Sequence, residues 1–320
     1  MAPRTHDPHE LFAQAQTGDR GALARLLSLV ERGGEPARAV GRLSYPQSGS
    51  AYTIGITGAP GAGKSTLTGA TIGHLRALHV PVAVLAIDPS SPFTGGAILG
   101  DRVRMQDHAT DDGVFIRSMA TRGHLGGLSL ATSEAIRLLD AVGSPWILVE
   151  TVGVGQVEVE IVGKADTTVV VVNPGWGDSV QANKAGLMEI ADIFVINKSD
   201  RKGADETRRD LEGMLDLSDI PHDAWRPPIV MTTATSAEGV EKLWATILEH
   251  RAHMETSGLL AERRSARLRE ELREIIERRL EQRARELCTG ERWESLQHDV
   301  AAHTTDPWAA ADEMLKGVGA

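Results

Sequence analysis

The 320-residue chain is short of cysteine, of aromatic rings, of positive charge and of long apolar runs, and each shortage removes a class of protein. Cys288 is the single cysteine, so intramolecular disulfides and any Cys-x-x-Cys metal or redox site are excluded, and its thiol reads as helix packing. No apolar stretch approaches the ~20 residues of a membrane span, and the opening MAPRTHDPHELFAQAQTGDR lacks the charged-then-apolar layout of a secretory signal. A cytoplasmic protein with no membrane attachment is expected. A formal net charge of -10 argues against a nucleic-acid partner, because phosphodiester binding needs a positive footprint. What remains is ample: 41% hydrophobic residues suffice for one sizeable core with appended elements.

Residues 7–45 carry apolar positions at helical spacing, notably Leu23, Leu26, Leu27 and Val30, with a break at Gly33-Gly34 and Pro36. They predict a helical extension over residues 1–48. From Tyr52 to about Leu248, short β-branched runs (YTIGIT, PVAVLAID, WILVE, DTTVVVVN, DIFVINK, PIVMTTA) alternate with helical patterns. Near-continuous apolar strands separated by helices are what a parallel sheet covered on both faces requires, so residues 49–254 are expected to form an α/β doubly wound domain. Beyond residue 255 the chain turns to Arg and Glu around one stripe: Leu268, Leu272, Ile275, Ile276, Leu280, Ala284 and Leu287. That stripe fits either a solvated helix along its own domain or an arm buried against a second subunit, and the length of the helix favours the arm. RNA is disfavoured there, since glutamates interleave the arginines and aromatic rings are missing.

The stretch Gly58-Ala59-Pro60-Gly61-Ala62-Gly63-Lys64-Ser65-Thr66 has the spacing GxxxxGK[ST] between a predicted strand and a predicted helix. In such a loop, backbone N–H groups cradle phosphates, Lys64 adds positive charge and Ser65 ligates Mg²⁺. Asn197-Lys198-Ser199-Asp200 ends a later strand as an NKxD, in which Asp200 can accept from guanine N1–H and N2–H₂, an edge adenine does not offer. Thr233, Ala234 and Thr235 fit the loop that packs over guanine, or a simple strand-to-helix turn. Glu150 and Gly153 form a DxxG-like pair with glutamate for aspartate: the carboxylate can hold Mg²⁺ or its water, and the Gly153 N–H can sense a γ-phosphate. Val154 stands where Ras-like enzymes orient water with glutamine, and Gln156 could substitute only if its loop rearranges, so slow intrinsic hydrolysis is expected.

Asp88 at a strand end and Asp101 beyond Gly95-Gly96 look like a first switch with two carboxylates for Mg²⁺, although Asp101 also suits a helix N-cap. Arg102, Arg104 and Arg122 are candidates for stabilising transition-state charge, against the commoner role of structural ion pairing.

Together these residues resemble the MeaB/ArgK family of P-loop GTPases in the SIMIBI-type branch. The stretches that carry it include GAPGAGKST, IDPSSPFTGGAILGDRVRM, RSMATRGHLGGLS, ETVGVGQVEVE and PGWGDSVQANKAGLMEIADIFVINKSD. The resemblance implies a GTP/GDP-binding, Mg²⁺-dependent GTPase that chaperones an adenosylcobalamin-dependent acyl-CoA mutase, typically methylmalonyl-CoA mutase. Such a protein gates cofactor loading and protects or reactivates the mutase. It also implies a homodimer through a C-terminal helical arm, residues 255–320. By position, Lys64, Ser65, Asp88, Asp101 and Glu150 match the family's phosphate and magnesium set, and Asn197, Lys198 and Asp200 its guanine set.

A third mobile segment of the family matches residues 173–184, where Trp176 stands in place of an expected smaller residue and is either a partner anchor or a lid on its own domain. Asp178 and Lys184 are its charged members suited to pairing across the site or with a mutase. Two other readings of the same fold are a metal-insertase, which would need Cys/His clusters, and a transport-linked ATPase or kinase, which Asn197 and Asp200 oppose.

Overall fold

The computed structural model describes residues 7–88, 108, 110–120, 125–151, 163–175, 189–218, 221 and 224–316. The chain divides into two compact units, Met1–Arg267 and Leu268–Ala320. In the first, seven strands form one all-parallel sheet: β1 (Tyr52–Gly58), β2 (Val82–Asp88), β3 (Val114–Ala120), β4 (Trp146–Thr151), β5 (Thr167–Val172), β6 (Ile193–Asn197) and β7 (Ile229–Thr232). Their order is β3-β2-β4-β1-β5-β6-β7. From β1 the chain crosses to β2 and β3, returns to β4 beside β1, and then runs out through β5, β6 and β7, so β1 lies at the switch point where α/β sheets bind ligands beyond their strand ends.

Side chains alternate between the two faces of each strand, and both faces are covered. On one, Ile54, Ile56, Leu148, Val169 and Val195 meet Leu67, Ile72 and Leu75 of α4 (Lys64–Ala77) and Leu243, Trp244 and Ile247 of α7 (Val240–Thr256). On the other, Leu85, Ile147 and Val149 meet α1 (Pro8–Gln16), α2 (Arg20–Arg32), α3 (Gly34–Ser44) and α5 (Leu125–Ala141). Farther along that face, Val170, Phe194 and Ile196 pack on Leu211 and Leu215 of α6 (Ala204–Leu217). The N-terminal helices therefore share a core with β2 and β4. The break at Gly33 ends α2, and α3 starts at once because Pro36 falls within its first turn, where no hydrogen-bonded N–H is lost.

The edge strand β3 has no counterpart among the apolar runs read from the sequence. It pairs with β2 along its whole length, yet Arg117 and Ser118 interrupt its apolar pattern. Arg117 forms a largely buried ion pair with Glu31 of α2, which is how an edge position accommodates a charge.

At the strands' amino-terminal edge, Asp166 and Asp192 directly precede β5 and β6. Asp166 Oδ2 accepts from the Thr53 N–H at 3.0 Å and Asp192 Oδ2 from the Thr168 N–H at 2.7 Å. Three arginines of α8 (Leu259–Leu287) converge on them. Arg263 donates to both Asp192 oxygens at 2.9 and 3.0 Å and to the Asp166 carbonyl at 2.8 Å. Arg264 donates to Asp166 at 2.6 and 3.1 Å and to the carbonyls of Gly49 and Ala51 at 2.7 Å each. Arg267 donates to Asp166 and to the Lys164 carbonyl. Burial alone would raise both carboxyl pKa values, but Arg264 and Arg267 at Asp166, and His250 and Arg263 at Asp192, hold them below the usual carboxylate range. Beside them, Thr167 Oγ1 lies 2.8 Å from both the Tyr52 hydroxyl and His250 Nδ1, and burial pushes the Tyr52 phenol up to about 12.

The second unit comprises the rest of α8, α9 (Glu291–Ala301) and α10 (Pro307–Leu315). Leu268, Leu272, Ile275, Ile276 and Leu280 of α8 are 36–62% exposed among the described residues. Among the described residues no helix is long and apolar enough to cross a membrane.

Candidate functional site

The carboxyl ends of β1, β4, β6 and β7 bring the described candidate residues together. β1 delivers Gly58 into a loop that ends at the amino terminus of α4, where unsatisfied N–H groups and the helix dipole favour an anion. Two glycines fix this path. Gly58 has φ +135°, and a Cβ there would lie 1.9 Å from the Val171 carbonyl oxygen of the adjacent β5. Gly63 has φ +93°, and a Cβ there would lie 2.4 Å from Asn197 Nδ2. Only hydrogen fits at either position.

Lys64 is buried and donates from Nζ to the carbonyls of Gly58 at 2.6 Å and Ala59 at 3.2 Å. Next to it, Ser65 Oγ donates to Glu150 Oε1 at 2.5 Å. That contact is set by strand register, since Glu150 of β4 pairs with Ile56 of β1 on one side and Ala86 of β2 on the other. One residue on, the Thr151 hydroxyl donates to Thr57 Oγ1 at 3.1 Å, a buried bond that ties β4 to β1 under the loop.

Asn197 ends β6 and is fully enclosed. Its Nδ2 donates to the carbonyls of Ala62 at 2.9 Å and Gly63 at 3.4 Å, while its Oδ1 accepts from the Ala234 N–H at 3.1 Å and the Thr232 hydroxyl at 3.2 Å. One amide therefore joins the glycine-rich loop to the turn after β7. The same turn is held by Ser199, whose N–H donates to the Thr232 carbonyl at 3.0 Å and whose hydroxyl lies 3.1 Å from Thr233 Oγ1.

Lys198 adopts φ +59°, a left-handed conformation that costs a non-glycine residue about 1 kcal/mol, and from there its Nζ reaches the Gly61 carbonyl at 2.6 Å. Asp200 is exposed, with its carboxylate at the solvent side of this turn, and Thr235 is exposed beside the buried Thr233 and Ala234.

The structure thus gathers Gly58 to Thr66, Glu150, Asn197, Lys198, Asp200 and Thr233 to Thr235 along one sheet edge. Asp88 ends β2 on that edge, paired with Ala120 of β3, but its side chain lies outside the described residues. Asp101, Arg102, Arg104, Arg122, Gly153, Gln156, Trp176, Asp178 and Lys184 lie outside them too. Thr232, Ser199 and Thr57 are positioning residues that motif reading passed over. Their signal was weak, a hydroxyl at or next to a strand end.

Residues 23–289 match the family described as methylmalonyl Co-A mutase-associated GTPase MeaB. A Pyrococcus abyssi protein that carries the name GTPase is 53% identical over 311 residues, covering 97% of this chain and 96% of that protein. GTPase ArgK of Escherichia coli is 37% identical over 277 residues, covering 84% and 83%. A crystal structure described as LAO/AO transport system kinase superposes over 100% of both chains with a TM-score of 0.73 at 26% identity.

Proposed function

The chain belongs to the MeaB family of methylmalonyl-CoA mutase-associated GTPases, and from that premise we propose that it binds and hydrolyses GTP to serve an adenosylcobalamin-dependent acyl-CoA mutase. The observation that carries the nucleotide reading is the bond set of Asn197, which couples a phosphate-type loop to the turn that bears the base-reading candidates. Asp200 would accept from the guanine N1–H and N2–H₂. Lys64 would exchange its two carbonyl acceptors for phosphate oxygens, which are anionic and so accept more strongly.

Ser65 and Glu150 present hard oxygen donors side by side, the donor chemistry that Mg²⁺ takes, so the residues present fit this ion. Ser65 would hold it directly and Glu150 through the same hydrogen-bonded pair, with Asp88 and Asp101 as further proposed ligands. When bound, the ion offsets the negative charge that in-line attack of water builds on the phosphates. Gly153 and Gln156 are the proposed γ-phosphate sensor and water-positioning residue. Because Val154 cannot orient water, turnover by the chain alone would be slow, and the mutase would raise it.

The family description supports a mutase as partner, and the exposed stripe of α8 supports a homodimer. The reading places the protein in the cytoplasm, with partner surfaces around Arg122, Trp176, Asp178 and Lys184. An ATP-driven reading predicts no penalty for losing a guanine-specific acceptor.

Calorimetry with Mg²⁺ tests the choice between them. GTP and GDP should bind at least about a hundredfold more tightly than ATP and ADP, and Asp200→Ala should erase that gap, since two charge-assisted hydrogen bonds are removed. Equal affinity for both purines in the unmodified chain would refute the assignment. A GTPase assay with purified methylmalonyl-CoA mutase then tests the partner.

A further inference from the structure

The amino-terminal edge of the sheet carries a second charged cluster that nucleotide chemistry does not use. Its peculiarity is how it holds α8. From Leu259 to Arg267 the helix buries no side chain completely, and Leu260 is the apolar residue there that packs on the core. By contrast α7 buries Val240, Leu243, Trp244, Ile247 and Met254.

The hold on α8 comes instead from Arg263, Arg264 and Arg267, which the helical repeat turns toward the sheet. They end on two carboxylates and on the carbonyls of Gly49, Ala51, Lys164 and Asp166. Forked, charge-assisted bonds are short and directional, so an attachment built from them is either made or lost.

We propose that this cluster is a latch, which straps the first turns of α8 to the starts of β1, β5 and β6 and opens as a unit while the sheet stays folded. Opening would expose little apolar surface beyond Leu260, and water would solvate the freed guanidinium groups and the two carboxylates at the sheet edge together. The remaining groups facing Asp192 stay in place on opening: His250 Nε2 at 3.4 Å, the Trp225 indole, which donates to the Asp192 carbonyl at 2.8 Å, and the Thr168 N–H all belong to the folded body. Arg251, stacked on the Tyr52 and Trp146 rings at 5.1 and 5.0 Å, remains with α7. The exposed stripe starts at Leu268, directly after the last latch arginine in the sequence of α8.

Hydrogen–deuterium exchange on the full chain tests this without relying on any nucleotide. Across a series of sub-denaturing guanidinium concentrations, amides 263–267 should exchange through an opening of lower free energy than amides 168–172 of β5. Equal opening energies would make the cluster ordinary core and overturn the proposal. In Arg264→Ala, exchange at 263–267 should accelerate by about tenfold or more, with the gap in opening free energy to 168–172 retained because the lost bonds are absent from both open states, and Arg264→Lys, which keeps the charge but not the fork, should fall between. Unaltered exchange at 263–267, or loss of that gap, overturns it as well. Should Arg264→Ala fail to fold, the guanidinium series on the unmodified chain decides alone.

Discussion

The two edges of the central sheet both depend on charge and use it in opposite ways. At the carboxyl edge, Lys64 and Lys198 donate to neutral main-chain carbonyls of Gly58, Ala59 and Gly61. At the amino edge, Arg263, Arg264 and Arg267 end on buried carboxylates that also accept main-chain N–H groups. A cation on a carbonyl can be recruited by an anionic ligand, whereas one forked onto a carboxylate already has its strongest available acceptor. The first edge is built to react and the second to hold. Substitutions should therefore separate: loss of activity with little loss of fold at one edge, and the reverse at the other.

The sharpest test of that separation is Lys64→Ala. GTP turnover should fall about a thousandfold or more, while urea unfolding shifts by no more than about 1 kcal/mol. A variant that unfolds instead would break the comparison, since it would make Lys64 part of the scaffold.

Next in size is Asp166→Asn, which leaves Arg264 and Arg267 without their counter-charge and should cost about 3–5 kcal/mol in chemical denaturation, with GTP affinity within about threefold of the parent. The sign of its pH dependence follows from the depressed folded-state pKa. Stability from Asp166 and Asp192 is present above their unfolded value of 3.8 and is lost as pH falls below it. Denaturation curves of Asp166→Asn should accordingly be flatter than wild type on the acid side, and matching acid limbs would contradict the role given to Asp166.

The smallest effect belongs to Tyr52→Phe, which removes one buried hydrogen bond to Thr167 and should cost about 1 kcal/mol near neutrality. Here the folded pKa is raised to about 12 from 10.0, so the stability tied to the neutral phenol is full below 10 and declines as pH rises toward 12. Wild type should lose up to about 1.4 kcal/mol per pH unit across that window relative to Tyr52→Phe. Parallel alkaline curves would show that the ring is not enclosed as described.

Six strands and the loop from Gly58 to Thr66 were legible because their signals are local: unbroken apolar runs, and glycines at fixed spacing before a helix. β3 was not, because an edge strand is only half enclosed and tolerates Arg117 and Ser118, which blunt its periodicity. The amino-edge cluster was invisible for a different reason. Asp166 and Asp192 look like ordinary loop carboxylates in the chain, and their partners stand about a hundred or seventy residues away on a helix whose arginines read as paired with its own glutamates. Asn197 was legible as a member of a motif, but its inward-facing bonds to Ala62, Gly63, Thr232 and Ala234 depend on three strand ends meeting, which one-dimensional spacing does not encode.

The close approach of Gly63 and Asn197 carries a practical corollary for protein engineering. With the amide committed on all sides, even a methyl group at residue 63 must displace it, and the turn after β7 with it. The two segments behave as a lock and its key cut from one blank. Transplanting the glycine-rich stretch into another scaffold, or diversifying it in a library, would succeed only if the end of β6 and the Thr232–Ala234 segment travelled along.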